Sequence, residues 1–140
     1  MKVKVIKFEE DAKMPERAHY NDAGLDCFAS ENIVIEPHYR KRIKLGFGLE
    51  LPDGYAAFVL PRSSMNAKGI RCEIGTIDSG YRGEIQAVIV NDTCKAIAVM
   101  KDDKIAQLVV MPITYIDLVD NVVNDRNENG FGSTGKWIVL

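Results

Sequence analysis

The chain has 140 residues, enough for one domain that buries about two-thirds of its unfolded surface. With 46% hydrophobic and 27% charged residues it has the balance of a soluble globular protein, and its longest apolar runs are too short to span a bilayer. A net charge of −2 gives no general attraction for nucleic acid polymers, so a polyanionic ligand must be held by a local cluster of cations. No basic-then-apolar leader opens the sequence, because Val3, Val5, Ile6 and Phe8 are interleaved with lysines, and the expected location is the cytoplasm. Cys27, Cys72 and Cys94 lack CxxC spacing and have only His19 and His38 for company. That pattern argues against zinc and against a disulfide framework, and for reduced, mostly buried thiols.

In chain order, strand signals dominate. Val3, Val5 and the run Ile33–Ile35 are followed by predicted strands at Lys44–Leu51, Tyr55–Leu60, Glu84–Val90, Ala96–Met100, Ile105–Met111 and Tyr115–Val119. Turn signals punctuate them: Glu36-Pro37, Pro52-Asp53-Gly54, Asp78-Ser79-Gly80, Asn91-Asp92 and Lys101-Asp102-Asp103. Short strands at such spacing predict an all-β sandwich or barrel. Only Ser63–Gly69 reads as helical, with Ser63 or Ser64 as cap and Gly69 as terminator. From Asp120 the sequence turns polar, predicting a core over 1–119 and a flexible linker and arm over 120–140.

Several segments could carry chemistry. The arm packs Gly132, Gly135, Ser133, Thr134, Arg126 and Lys136 together, a set suited to phosphate oxygens. Gly130 to Lys136 even fits the GxxxxGK of a P-loop, but Trp137 stands where a metal-binding hydroxyl belongs and no room is left for a following helix. At Pro61-Arg62-Ser63-Ser64 a strand end delivers a guanidinium and two hydroxyls to a helix start, which favours an anion; equally, Ser63 could cap while Arg62 forms an internal ion pair. Around Ser79-Gly80 a hairpin would put Asp78 and Tyr81 at its shoulders. There Asp78 could serve as a base or a turn former, and Tyr81 as a sugar platform or a packing residue. Asp26, in Ala23-Gly24-Leu25-Asp26, could orient water around a hydrated metal or simply end a loop. Gln107 interrupts an apolar strand, so it must bind a ligand or satisfy backbone, on pain of a desolvation cost of roughly 1–3 kcal/mol.

In sequence, AGLD at 23–26, PRSS at 61–64, GTIDSGYRGEI at 75–85, KIAQL at 104–108 and RNENGFGSTG at 126–135 resemble the five motifs of the trimeric dUTP pyrophosphatases. The resemblance spans nearly the whole chain. It implies an all-β, jelly-roll-like domain with one short helix, and a homotrimer whose active sites lie between subunits and are closed by the C-terminal arm. By resemblance, Asp78 would activate the water that attacks the α-phosphorus of dUTP, giving dUMP and pyrophosphate, which limits uracil in DNA and supplies dUMP for dTMP synthesis. Tyr81 would lie under the deoxyribose, and hairpin backbone at Gly75 and Ile77 would read uracil. Arg62, Ser63, Ser64 and Gln107 would line the phosphate chain. Phe131 would stack on the base, while Arg126, Gly132, Ser133 and Thr134 clamp the terminal phosphates. Mg²⁺ would be held chiefly by the phosphates, with Asp26 touching it only through water. A bacterial or phage-infected cell would be the setting. Two positions depart from the family pattern: Ser64 stands where Gly is common, and Cys72 where many relatives have Asn. The apolar end Trp137–Leu140 could dock on a neighbouring subunit.

Two rivals differ in class. A dCTP deaminase would share the fold, but deamination needs a carboxylate near the pyrimidine C4, and Val88 stands three residues before Asn91 where that family has Glu. A regulatory binding protein on the same scaffold would not need the full set of Asp78, Tyr81, Arg126 and Phe131.

Overall fold

A computed structural model of the chain describes residues 1–119. The predicted arm, including Arg126, Phe131, Gly132, Ser133, Thr134 and Trp137–Leu140, lies outside the described residues, as does the linker from 120 onward.

Eleven strands and one short helix make up the described chain. In order they are β1 (Lys4–Lys7), β2 (Leu25–Phe28), β3 (Ile33–Ile35), β4 (Arg40–Lys44), β5 (Phe47–Glu50) and β6 (Tyr55–Leu60). There follow α1 (Ser63–Asn66), β7 (Ile70–Cys72), β8 (Gly75–Ile77), β9 (Gln86–Asn91), β10 (Ile97–Val99) and β11 (Lys104–Pro112). All pairings are antiparallel, in four sheets ordered β1-β5, β10-β3, β2-β11-β6-β8 and β4-β9-β7. This is the expected all-β, jelly-roll-like class, built of open sheets wrapped around one core. That core joins Ile35, Ile43, Leu45, Phe47, Val59, Ile85, Ile89 and Ile105, all at most 2% exposed.

The differences from the sequence reading have local causes. The pattern does not predict β2, β4 or β7. In Arg40-Lys-Arg-Ile-Lys44 only Ile43 is buried, so the apolar signal of an edge strand shrinks to one residue. The predicted strand Lys44–Leu51 breaks at Gly46, whose φ of +74° is one that other residues adopt only under strain, and which sits where a Cβ would come within 2.3 Å of Ala12. Tyr115–Val119 carries strand-like composition but joins no ladder, and Tyr115, Ile116, Leu118 and Val119 are all exposed. The hairpin expected around Ser79-Gly80 is a turn rather than a two-stranded ladder. Tyr81 N–H donates to the Asp78 carbonyl (3.1 Å), but β8 pairs with β6 while β9 pairs with β4 and β7, so the chain crosses between sheets there. The cap of α1 is Arg62, not a serine, and no side chain bonds the free N–H groups at that end.

One buried polar residue knits the barrel-like wrap. Asn91, wholly buried, donates its amide to the carbonyls of Ile35 (3.0 Å), Glu36 (3.2 Å) and Lys95 (2.8 Å), and accepts from the Thr93 N–H and hydroxyl. A buried amide with every valence engaged is a structural fastener.

Candidate active site

Strand register assembles the first half of the site. β11 lies between β2 and β6, and Gln107 stands opposite Asp26 on one side and Leu60 on the other. Three segments far apart in sequence are thereby set side by side at one end of the sheet. Gln107 donates to the Pro61 carbonyl (2.9 Å), fixing the chain just before Arg62. Gly24 leaves room for that amide, since a Cβ there would stand 2.5 Å from Gln107 Oε1. Arg62 pairs through Nε with Asp26 (3.2 Å) and donates to the Lys104 carbonyl (3.0 Å), while Lys104 Nζ meets the other Asp26 oxygen at 2.8 Å. Arg62 therefore makes the internal ion pair and still faces a cavity. That cavity, of about 350 Å³, is lined by Asp26, Arg62, Ser63, Ser64 and Gln107 together with Gly24 and the loop residues His19 and Asp22. Ser63 and Ser64 are exposed, and their hydroxyls form no hydrogen bond among the described residues. The set can hold an anion with one guanidinium and several neutral donors.

A second depression, of about 310 Å³, gathers Asp78, Tyr81, Ile77 and Thr76 with Arg42, Glu84, Ile85 and Gln86. Asp78 is exposed, at the end of edge strand β8. Tyr81 is held in place by its hydroxyl, which donates to the Glu84 carbonyl (3.0 Å), and by Gly83, where a Cβ would stand 2.4 Å from that hydroxyl. Gly83 in turn closes on Gly48, whose Cβ would meet the Gly83 carbonyl at 2.6 Å. Tyr81 is thus both a packed residue and a partly exposed ring. Gly75, paired with Val59, lies on the same edge strand outside the lining of this depression.

The two half-sites leave β6 at opposite ends. Ile77 is paired with Ala57, which brings Asp78 level with Ala56, whereas Arg62 follows Leu60. Six residues of extended chain separate the two levels, roughly 20 Å along the strand. The depressions share no lining residue.

Cys72 lines neither. It is buried in β7 opposite Ile89, its thiol donating to the Glu73 carbonyl (3.3 Å), and burial ahead of the nearby Glu73 charge pushes that thiol up to about 11. Burial likewise pushes Cys27 up to about 12, while Cys94 is exposed and all three are free. Of the residues now found at the site, His19, Asp22, Arg42 and Glu84 are not singled out by the sequence pattern. The one signal for the first two is their i, i+3 spacing just before Ala23-Gly24.

Among the described residues no group of three or more His, Cys, Asp or Glu is placed to hold a metal. Asp26, engaged on both oxygens by cations, could meet a hydrated ion only through water. The donor set thus fits an Mg²⁺ that arrives on phosphates and keeps much of its hydration shell. No helix among the described residues is long and apolar enough to cross a membrane.

The dUTPase family model matches residues 10–135. The chain is 41% identical to the deoxyuridine 5'-triphosphate nucleotidohydrolase of Clostridium tetani over 97% of each chain. It is 35% identical to that of Thermobifida fusca, covering 96% of this chain and 79% of the relative. Its fold is similar to that of the Staphylococcus bacteriophage 80alpha dUTPase with dUPNHPP, at a TM-score of 0.88 and 31% identity, covering 96% of this chain and 99% of that one. It is also similar to a mutant dUTPase from phage phi11 of S. aureus in which a structural Mg(II) ion is coordinated, at a TM-score of 0.83 and 29% identity over 89% of this chain and all of the other. With the motifs set out on such a frame, the chain belongs to the dUTPase family and is a hydrolase of the dUTP diphosphatase type.

Proposed function

We propose that the protein hydrolyses dUTP to dUMP and pyrophosphate, with Asp78 as general base toward a water that attacks the α-phosphorus. The observation that carries this reading is the division of labour between two depressions. One holds an exposed carboxylate beside a fixed Tyr ring, and the other collects a guanidinium, two free hydroxyls and an amide. At roughly 20 Å apart they cannot serve one nucleotide within a single chain. A second copy must bring its Arg62 end to the first copy's Asp78, which supports a homotrimer with sites between subunits. The exposed apolar run Tyr115, Ile116, Leu118 and Val119 supports assembly as well.

At such a site Tyr81 lies beneath the deoxyribose, where a 2′-hydroxyl would clash, and backbone of edge strand β8 at Gly75 and Ile77 reads the uracil. Arg62, Ser63, Ser64 and Gln107 line the phosphates, and Asp78 takes the proton of the attacking water. General-base help of this kind supplies roughly 10²–10⁴-fold, with positioning supplying much of the rest. Mg²⁺, when bound, supplies charge neutralisation along the phosphate oxygens. Phe131 stacks on the base, and Arg126, Gly132, Ser133 and Thr134 close over the phosphate end.

Product chromatography after incubation with Mg²⁺ and dUTP, dCTP, dTTP or UTP tests the reading. dUMP and pyrophosphate should come from dUTP alone. Ammonia from dCTP would instead establish deamination, a reading disfavoured by the absence of any acid in β9 and by the full engagement of the Asn91 side chain in structure. Binding of dUTP without turnover would establish a regulatory protein.

A further inference from the structure

One wall of the phosphate-type cavity is made by a loop that the functional reading leaves unused. Ala18, His19, Asp22 and Ala23 line it, and the loop is pinned where Glu16 and Asp26 exchange backbone hydrogen bonds (2.7 and 3.2 Å). Within the loop the Asp22 carboxylate accepts from the His19 backbone N–H (2.8 Å) and from the ring Nδ1 (3.2 Å), and the Asp22 N–H closes the turn on the His19 carbonyl (3.0 Å). The backbone bond from His19, ahead of the ring and Arg17, holds the Asp22 carboxyl below its usual range, so it is ionised and can only accept. Nδ1 must then carry the proton, and Nε2 is the ring nitrogen with no partner within the loop. An imidazole so fixed offers an acceptor there when neutral and a charged donor when protonated.

The charges around this wall set what that donor is worth. The titratable lining residues are His19, Asp22, Asp26 and Arg62; Lys104 of β11 stands behind Asp26, and Arg17 flanks the loop. With His19 neutral the charges at this wall sum to zero, because Asp22 and Asp26 balance Arg62 and Lys104, and both of those cations are already paired with Asp26. That is a poor surface for a triphosphate of about four negative charges. A charged imidazole at His19 tips the sum positive.

We infer that His19 is a further substrate-binding residue, donating through Nε2 to the outer phosphates of the nucleotide while Asp22 holds the ring. The inference rests on the assignment of this cavity to the phosphate end of dUTP. What the phosphates gain from this wall is therefore a charged donor, which a neutral amide at position 19 would not replace and a lysine would.

The test is calorimetry of inorganic pyrophosphate with Mg²⁺, alongside dUTP kinetics, for wild type, His19→Gln and the charge-keeping His19→Lys. His19→Gln should bind pyrophosphate roughly three- to fivefold more weakly and show a matching rise in KM with kcat unchanged. His19→Lys, which keeps a cationic donor, should stay within about twofold of wild type. His19 is exposed, so both variants should keep the wild-type Tm. Equal pyrophosphate affinity for wild type and His19→Gln overturns the inference, as does a loss that is the same in His19→Lys. If wild type fails to turn over dUTP at all, the functional reading falls instead, and the pyrophosphate arm still decides whether His19 binds phosphate.

Discussion

Gly83 and Gly80 stand three residues apart in the same crossing segment yet differ in what surrounds them. A Cβ at Gly83 meets the Tyr81 hydroxyl at 2.4 Å and its ring at 2.6 and 3.0 Å, whereas nothing lies within 4 Å of one at Gly80. Gly83→Ala should therefore displace the ring, raising KM for dUTP and eroding rejection of UTP, while Gly80→Ala should leave both within about twofold. Competition assays with the two nucleotides read the difference. Asp78→Asn should keep nucleotide affinity and lose about 10²–10⁴-fold in kcat, read by single-turnover product release. The cysteines give a pH prediction. For a buried thiol the unfolded chain releases its proton first, from an ordinary value of 9.0, and the native state follows only near 11 for Cys72 and 12 for Cys27. Native stability is thus undiminished by these groups below about pH 9 and declines as the pH rises beyond it. Denaturant midpoints measured across that window should fall, and a thiol reagent should label Cys94 in the native protein but Cys27 and Cys72 only after unfolding.

At the scale of elements, β9 and β11 carry the consequences of single polar residues placed inside apolar strands. Asn91 ends β9 and holds three carbonyls of other segments, so Asn91→Ala strands buried acceptors and should cost about 2–4 kcal/mol, with intact activity in the molecules that remain folded. Chemical denaturation together with activity per folded molecule separates the two effects. Gln107 performs a similar task for the site in place of the core, tying β11 to the turn before Arg62. The element α1 is only one turn long and has no side-chain cap, so its geometry depends on this tether and on the Arg62–Asp26 pair rather than on helix propensity.

For the whole molecule the controlling fact is the distance between Asp78 and Arg62 along β6. If two copies complete each site, inactive Asp78→Asn and Arg62→Ala proteins should complement each other. After subunit exchange at equal amounts, about a quarter of the sites should pair an intact Asp78 with an intact Arg62. Mixed samples should regain about that fraction of wild-type turnover. No recovery, with exchange demonstrated by mass, would mean that one chain forms its site alone.

Much of this protein is legible in its residues in order. The five motif segments, the all-β class, the turn at Asp78–Gly80 and strand β6 follow from local signals, because turn chemistry and β-branched runs act over a few residues. What sequence cannot supply is partnership. Whether Arg62 is free or paired, and whether β8 pairs with β9 or with β6, depends on residues well outside the reach of local signals. The charged edge strand β4 is hidden for the same reason, since its single buried side chain finds its neighbours only after folding. His19 shows the limit most plainly: an exposed histidine in a loop offers only its i, i+3 spacing to Asp22, and the closing of β2, β6 and β11 into one sheet is what gathers Asp26, Arg62 and Gln107 around the same cavity. Chemistry of single residues was written in the chain, while their combination into a charged, shaped cavity is a property of long-range strand register.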